Sequence, residues 1–149
     1  MANKLILSDE WAGKLLRLIV GKSAVMEGAE TVWVGLSSND PVSTKTFSEI
    51  PANTTTNYAR TIIGVAGDTY PDFMADVSGR AIVNRKQVVF NKAKSDYSAN
   101  GVGFFSAETG GKPFAYGKLN TTLNVVAGSL PMFEPGDFEL SISDGTESE

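Results

Sequence analysis

Neither cysteine nor histidine occurs anywhere in the 149 residues of this chain. Without cysteine there is no disulfide, no thiolate metal site and no thiol nucleophile. Without histidine the usual general base near neutral pH, the commonest zinc ligand and every histidine-containing dyad or triad are gone. A serine nucleophile lacks an activator too, because no Ser-x-x-Lys motif is present. These absences disfavour most hydrolase chemistry, and the expectation is a protein that is not an enzyme and needs no cofactor. Positive charge is also scarce. Thirteen Lys and Arg stand against 17 Asp and Glu, a net charge of -4, so no long-range basic field exists to hold nucleic acid or an anionic membrane. No apolar run approaches the ~20 residues of a membrane span. The opening MANKLILSDEW places only Leu5, Ile6 and Leu7 before polar residues, too short a run for a secretory signal, and synthesis in a cytoplasm is expected.

What is present suits one compact domain with a sizeable core, since a chain this long buries roughly 68–70% of its unfolded surface. One segment reads as helix, about 9–20. Ser8 is a suitable N-cap, Asp9 and Glu10 set negative charge in the first turn, and Gly21 supplies a stop. Trp11, Leu15, Leu18 and Ile19 fall on one face, which is expected to pack on the domain or on a neighbouring subunit. From residue 31 the period changes to two. Strands are expected at 31–37, 59–65, around Val88-Val89-Phe90, around Phe104 and Phe105, over 113–119, and at the close, where Phe138, Leu140 and Ile142 alternate with polar residues. Gly110-Gly111 suits a tight hairpin between the fourth and fifth of these. Short strands separated by Gly, Asn, Asp and Pro imply an all-β fold, an antiparallel β-sandwich or jelly roll with a short N-terminal amphipathic helix. The organisation expected is a helical segment at 1–30, a β-domain at 31–143 and a mobile acidic tail at 144–149.

Two polar stretches, 38–57 and 67–80, are long for simple connections and read as surface excursions. Neither carries an evident site. Asp68, Asp72 and Asp76 fail the spacing that wraps calcium. The glycines at 101, 103, 110 and 111 do not lead from a strand into a helix, so no phosphate cradle is indicated. For Gly103 close sheet packing is the simpler reading. Arg80, Arg85, Lys86, Lys92 and Lys94 form the one basic cluster, best read as a solvated face. Tyr70 and Phe73 are the only clustered aromatics on the excursions, a thin basis for sugar stacking, so these loops are expected to make protein contacts or stay solvated. A carbohydrate-binding version of the fold would instead gather Tyr70, Phe73 and Tyr97 around a shallow groove. Arg60 lies on an apolar strand and needs a carboxylate, for which Glu49 is a candidate.

An ordered series of short motifs runs through the β region: Trp33-Val34-Gly35-Leu36-Ser37 with Pro41, Glu49-Ile50, Tyr58-Ala59-Arg60, Val88-Val89-Phe90-Asn91, Gly101-Val102-Gly103-Phe104-Phe105, Gly110-Gly111, Tyr116-Gly117-Lys118-Leu119, Val126-Ala127-Gly128, then Phe133, Pro135-Gly136 and Phe138-Glu139-Leu140. In this order they resemble a family of small tailed-bacteriophage virion proteins, the tail fibre proteins. The resemblance covers roughly residues 31–143. One departure is Asn57, where the family pattern has a glycine before the tyrosine. The resemblance implies a non-catalytic structural component of a tailed-phage virion, in the tail fibre, the baseplate or on the capsid. It implies other virion proteins as partners and a homo-oligomer, a trimer first. The alternative is a receptor-binding or carbohydrate-binding module at the tail tip, with a host surface glycan as partner. No nucleic-acid or membrane partner is expected. The residues expected to hold the scaffold and its assembly are Trp11, Glu49, Tyr58, Arg60, Gly110, Gly111 and Phe138.

Overall fold

The computed structural model describes residues 2–21, 31–64, 73–75 and 81–141. The acidic triplet at 68, 72 and 76, Tyr70, Arg80, Ile142 and the tail at 144–149 lie outside the described residues, as does nearly all of the 67–80 excursion. The fold is all-β, as expected. Its strands are β1 (Asn3–Leu7), β2 (Val32–Ser37), β3 (Thr61–Gly64), β4 (Phe73–Ala75), β5 (Ala81–Asn84), β6 (Val88–Val89), β7 (Tyr97–Phe105), β8 (Ala115–Val125), β9 (Met132–Phe133) and β10 (Phe138–Ser141). Two helices, α1 (Asp9–Ile19) and α2 (Pro41–Thr44), accompany them.

Eight of the strands form one mixed sheet in the order β3-β2-β7-β8-β1-β10-β5-β4, and β6 pairs with β9 in a separate ribbon. The sheet turns about β1. Asn3, Lys4 and Leu5 run parallel to Phe138, Glu139 and Leu140, whereas Ile6 and Leu7 pair antiparallel with Tyr116 and Ala115. The two halves of the sheet therefore share one short strand. The core lies between the halves and the ribbon: the Phe138 ring meets Phe104 at 6.0 Å and Phe133 at 4.6 Å, and Phe73 meets Phe104 at 5.6 Å. Val34, Leu36, Val102 and Leu5 complete it. Alternation along β2 and β7 decides which side chains reach this core, because a slip of one residue would turn all of them outward.

Several details differ from the sequence reading. The run Leu5-Ile6-Leu7 belongs to a central strand, and its pairing with β10 is parallel in an otherwise antiparallel sheet. A buried Asn3 secures it: the side chain donates to Asp137 O at 3.0 Å and accepts from Asn120 N at 2.8 Å. Gly117 on β8 has no side chain to obstruct the close approach of Lys4 O. The turn between β7 and β8 spans 106–114 rather than two residues, although Gly110 and Gly111 both take the left-handed conformation that favours glycine, with φ near 72°. Along α1 the apolar face divides. Ser8 accepts from Trp11 N at the cap, and Trp11 stacks on Phe114 at 4.5 Å, but Ile19 remains 68% exposed and Leu16 62%.

Phe138 is fully buried among rings, so Phe138→Ala is expected to cost about 3–5 kcal/mol through lost burial and a residual cavity. Chemical denaturation measures this; an unchanged midpoint would place the residue outside the core.

Candidate functional site

Directly opposed residues of antiparallel strands share a face. Gly35 on β2 faces Gly103 on β7, which faces Tyr116 on β8, which faces Ile6 on β1. On this outer face, away from the core, Gly35, Gly101 and Gly103 leave a strip without side chains beside the paired Trp33 and Phe105, and the 38–60 stretch lies down on it. A Cβ at Gly103 would stand 2.8 Å from the Phe47 ring, and one at Gly35 would stand 2.8 Å from the Phe105 ring and 2.9 Å from Glu49 Oε2. A Cβ at Gly101 would overlap Pro41. Close packing is thus the role of Gly103, and Gly35 and Gly101 share it.

Four features fix the excursion on this surface. Asp40 caps α2 by accepting from Val42 N at 2.9 Å and from Ser43 N at 3.3 Å. Ser38 N donates to Ser48 O, and Ile50 N to Leu36 O. The fourth is ionic. Arg60 grips both carboxylate oxygens of Glu49, Nε to Oε2 and Nη2 to Oε1, each at 2.8 Å. Its remaining nitrogen, Nη1, donates to Ala107 O at 2.8 Å and Gly110 O at 2.9 Å, and the guanidinium carbon lies 3.4 Å from the centre of the Phe105 ring. With only 4% of its side chain exposed, against 26% for Glu49, Arg60 depends on these partners: a planar fork matches a carboxylate bidentately and can still stack on an aromatic face.

Tyr58 joins the same cluster. Its hydroxyl donates to Glu49 Oε2 at 2.9 Å and accepts from Leu36 N at 2.8 Å. Burial first, and the Glu49 charge after it, push the phenol well above its ordinary value against the opposing Leu36 N–H and Arg60. It therefore remains a donor at any physiological pH. Immediately before it, Asn57 sits at φ 63°, and asparagine is one of the few residues besides glycine that tolerates the left-handed region. Its amide also donates to Lys92 O at 2.9 Å.

Glu49, Tyr58, Arg60 and the Gly110 carbonyl are thus brought into one cluster, with Gly111 beside it in the loop. Trp11 lies across a cleft from them, and Phe138 lies in the core. The cleft holds about 750 Å³ between the start of α1, the Lys45–Glu49 stretch and the 106–114 loop. Half-buried Trp11, Phe47 and Tyr116 contribute rings to it, and the edge of Glu49 reaches it. Asp9 and Glu10 come from the helix, Lys45 from the excursion and Lys112 from the loop. Of the aromatics named for a groove, the two among the described residues do not gather here: Phe73 packs on Phe104, and Tyr97 stands edge-on to Tyr58. Among the described residues no group of three or more acidic side chains is placed to hold a metal ion, and no helix is long and apolar enough to cross a membrane.

Sequence reasoning did not find Asn84, a fully buried amide that donates to Lys86 O and Glu134 O and accepts from Phe138 N. Its partners are mostly backbone groups distant in sequence, which leave no local motif.

A family model described as "Podophage GP4 fiber I protein gp80" matches residues 6–141. The match includes α1 and every strand from β2 to β10. Comparison with curated proteins finds no match.

Two tyrosines provide a contrast. Tyr58→Phe strips a partner from both Glu49 and a buried N–H, with an expected loss of about 1.5–3 kcal/mol. Tyr97 has a buried hydroxyl with no hydrogen-bond partner among the described residues, so Tyr97→Phe is expected to be neutral or stabilising by up to ~1 kcal/mol. Parallel urea melts test both, and equal losses would contradict the assignment of partners. At the preceding position, Asn57→Gly should leave stability nearly unchanged, whereas Asn57→Val should lose at least ~1–2 kcal/mol to left-handed strain.

Proposed function

The chain belongs to the podophage GP4 fiber I protein gp80 family, and on that premise we propose that it is a non-catalytic structural part of a tailed-phage virion, seated by contacts with other virion proteins. The family match over residues 6–141 carries this reading. The electrostatics agree with it. The one deeply buried cation among the described residues, Arg60, has its N–H groups committed to Glu49 and two loop carbonyls, an arrangement that stiffens a scaffold.

Assembly as a homo-oligomer, a trimer first, is part of the proposal. Among the described residues the eight-stranded sheet ends in β3 and β4, and strand edges invite pairing or coverage. The second half of α1 offers Leu16, Ile19 and Val20 at 62–68% exposure, apolar surface that a subunit contact would cover. Trp11, Phe138 and the Glu49–Tyr58–Arg60 cluster act within this reading as residues that hold the subunit's shape.

Quantitative mass spectrometry of purified particles tests the proposal. The protein should be present at a low multiple of three or six copies, and particles that infect normally without it would remove the reading. A copy number matching the major capsid protein would move it from the fibre to capsid decoration. Light scattering of the isolated protein checks the trimer; a monomer at every concentration would exclude self-assembly in the absence of the particle.

A further inference from the structure

The cleft beside α1 holds about 750 Å³, within the ~300–1,000 Å³ usual for binding sites. Resting on the fibre reading above, we propose that it docks a proline-rich, extended segment of another virion protein, with a basic residue of that segment turned toward α1. Three rings, Trp11, Phe47 and Tyr116, bring flat apolar surface. Two of them are braced before any partner arrives: Trp11 on Phe114 at 4.5 Å, and Phe47 edge-on against Phe105 at 5.4 Å. Surface held in place in the free protein costs little ordering on binding.

The same walls carry donors that lack acceptors. Neither the Trp11 indole N–H nor the Tyr116 hydroxyl has a hydrogen-bond partner among the described residues, and neither is sealed from solvent. The ammonium groups of Lys45 and Lys112 have none among them either. A polyproline helix answers this combination. It has no internal hydrogen bonds, so its carbonyls need outside donors, and proline has no N–H to be satisfied in return. Its pyrrolidine faces lie on aromatic side chains whose polar tips reach the carbonyls, the mode in which aromatic-lined grooves take such segments. An α-helix would arrive with its own carbonyls already bonded and leave these donors without acceptors.

Charge sets the direction of the segment. Asp9 and Glu10 come from the helix wall, whereas Lys45 and Lys112 come from the excursion and the loop. A basic side chain therefore gains at the α1 end and loses at the other. Lys14, 3.9 Å from Glu10 on a side chain 46% exposed, can swing aside for it. The six prolines among these 149 residues include no adjacent pair and no Pro-x-x-Pro spacing, which is why the partner is a different protein and not a second copy. Phe47 and Lys45 give the 38–57 excursion its share of this contact.

Fluorescence anisotropy with the full chain tests the proposal, using a labelled probe of three Ala-Pro-Pro repeats that bears Arg at one end or the other. Control probes carry Glu in place of Arg, or Gly in place of every Pro. One of the two Arg probes should bind with a Kd below about 1 mM, at least ~10-fold tighter than its controls. Tyr116→Phe keeps the ring and removes the donor, and it should weaken binding about 3–10-fold with an unchanged melting temperature. Asp9→Asn combined with Glu10→Gln, both exposed positions, should bring the Arg and Glu probes to equal affinity. Binding of neither Arg probe, equal binding of the Gly control, wild-type affinity in Tyr116→Phe, or an undiminished preference for Arg in the double variant would each overturn the proposal. Particle mass spectrometry reads the fibre proposal separately. A virion component that ignores the probes retains its structural role, whereas a chain that binds them but is absent from particles would lose the fibre reading and keep the groove.

Discussion

A guanidinium withdrawn from water needs a countercharge and a partner for each N–H group, and Arg60 finds them on two segments that would otherwise have no reason to meet. Glu49 supplies the charge from the excursion after β2, and Ala107 and Gly110 supply carbonyls from the loop after β7. Net stabilisation is not the main effect, because desolvating two ions offsets most of their attraction. Removing either partner alone typically costs about 3–5 kcal/mol. Such an asymmetry makes the pair a device for choosing one arrangement of two long loops over the alternatives, and Tyr58 adds to it by tying Glu49 to the β2 backbone.

That device works only because the sheet beneath has glycine at 35 and 103. Gly35 and Gly103 face each other on neighbouring strands, where any side chain would hold the excursion off the surface. The loss of two side chains weakens the strands locally, but it lets a ring and a carboxylate lie against the backbone. The excursion then serves as a second layer on the outer face of the sheet, opposite the core. Glycine and ion pair are two halves of one solution.

How much of this could be read from the sequence depended on how local the cause was. Ser8 with Asp9 and Glu10 marked the helix start, and the alternation around Phe138 marked a strand, because cap and period act within a few residues. Glu49 emerged as a partner for Arg60 because a cation on an apolar strand must have one. β1 was not legible: five residues with Asn3 and Lys4 among them show little alternation, and both partners lie more than a hundred residues away. The same holds for the cleft, whose rings at 11, 47 and 116 share no periodicity. Gly110-Gly111 misled in a different way, since the left-handed conformation was correct but the pair sits inside a wider loop. Asn57 was visible only as a departure from a pattern until its φ gave the reason.

The placement of β1 also governs the order in which the subunit is made. The strand is made well before both of its neighbours, for its antiparallel partner begins at residue 115 and its parallel partner at residue 138. At about 5–20 residues per second it waits roughly 5–25 s for them. During that time an apolar strand stands with both edges open, and β4 and β5 have no link to β7 and β8 through the sheet. Loop closure over such a distance is slow as well. Completion of the sheet is therefore a late, nearly simultaneous event in which the two halves become one body. A subunit that forms this way offers no finished surface to its neighbours until β10 has been made, which separates folding from assembly in time.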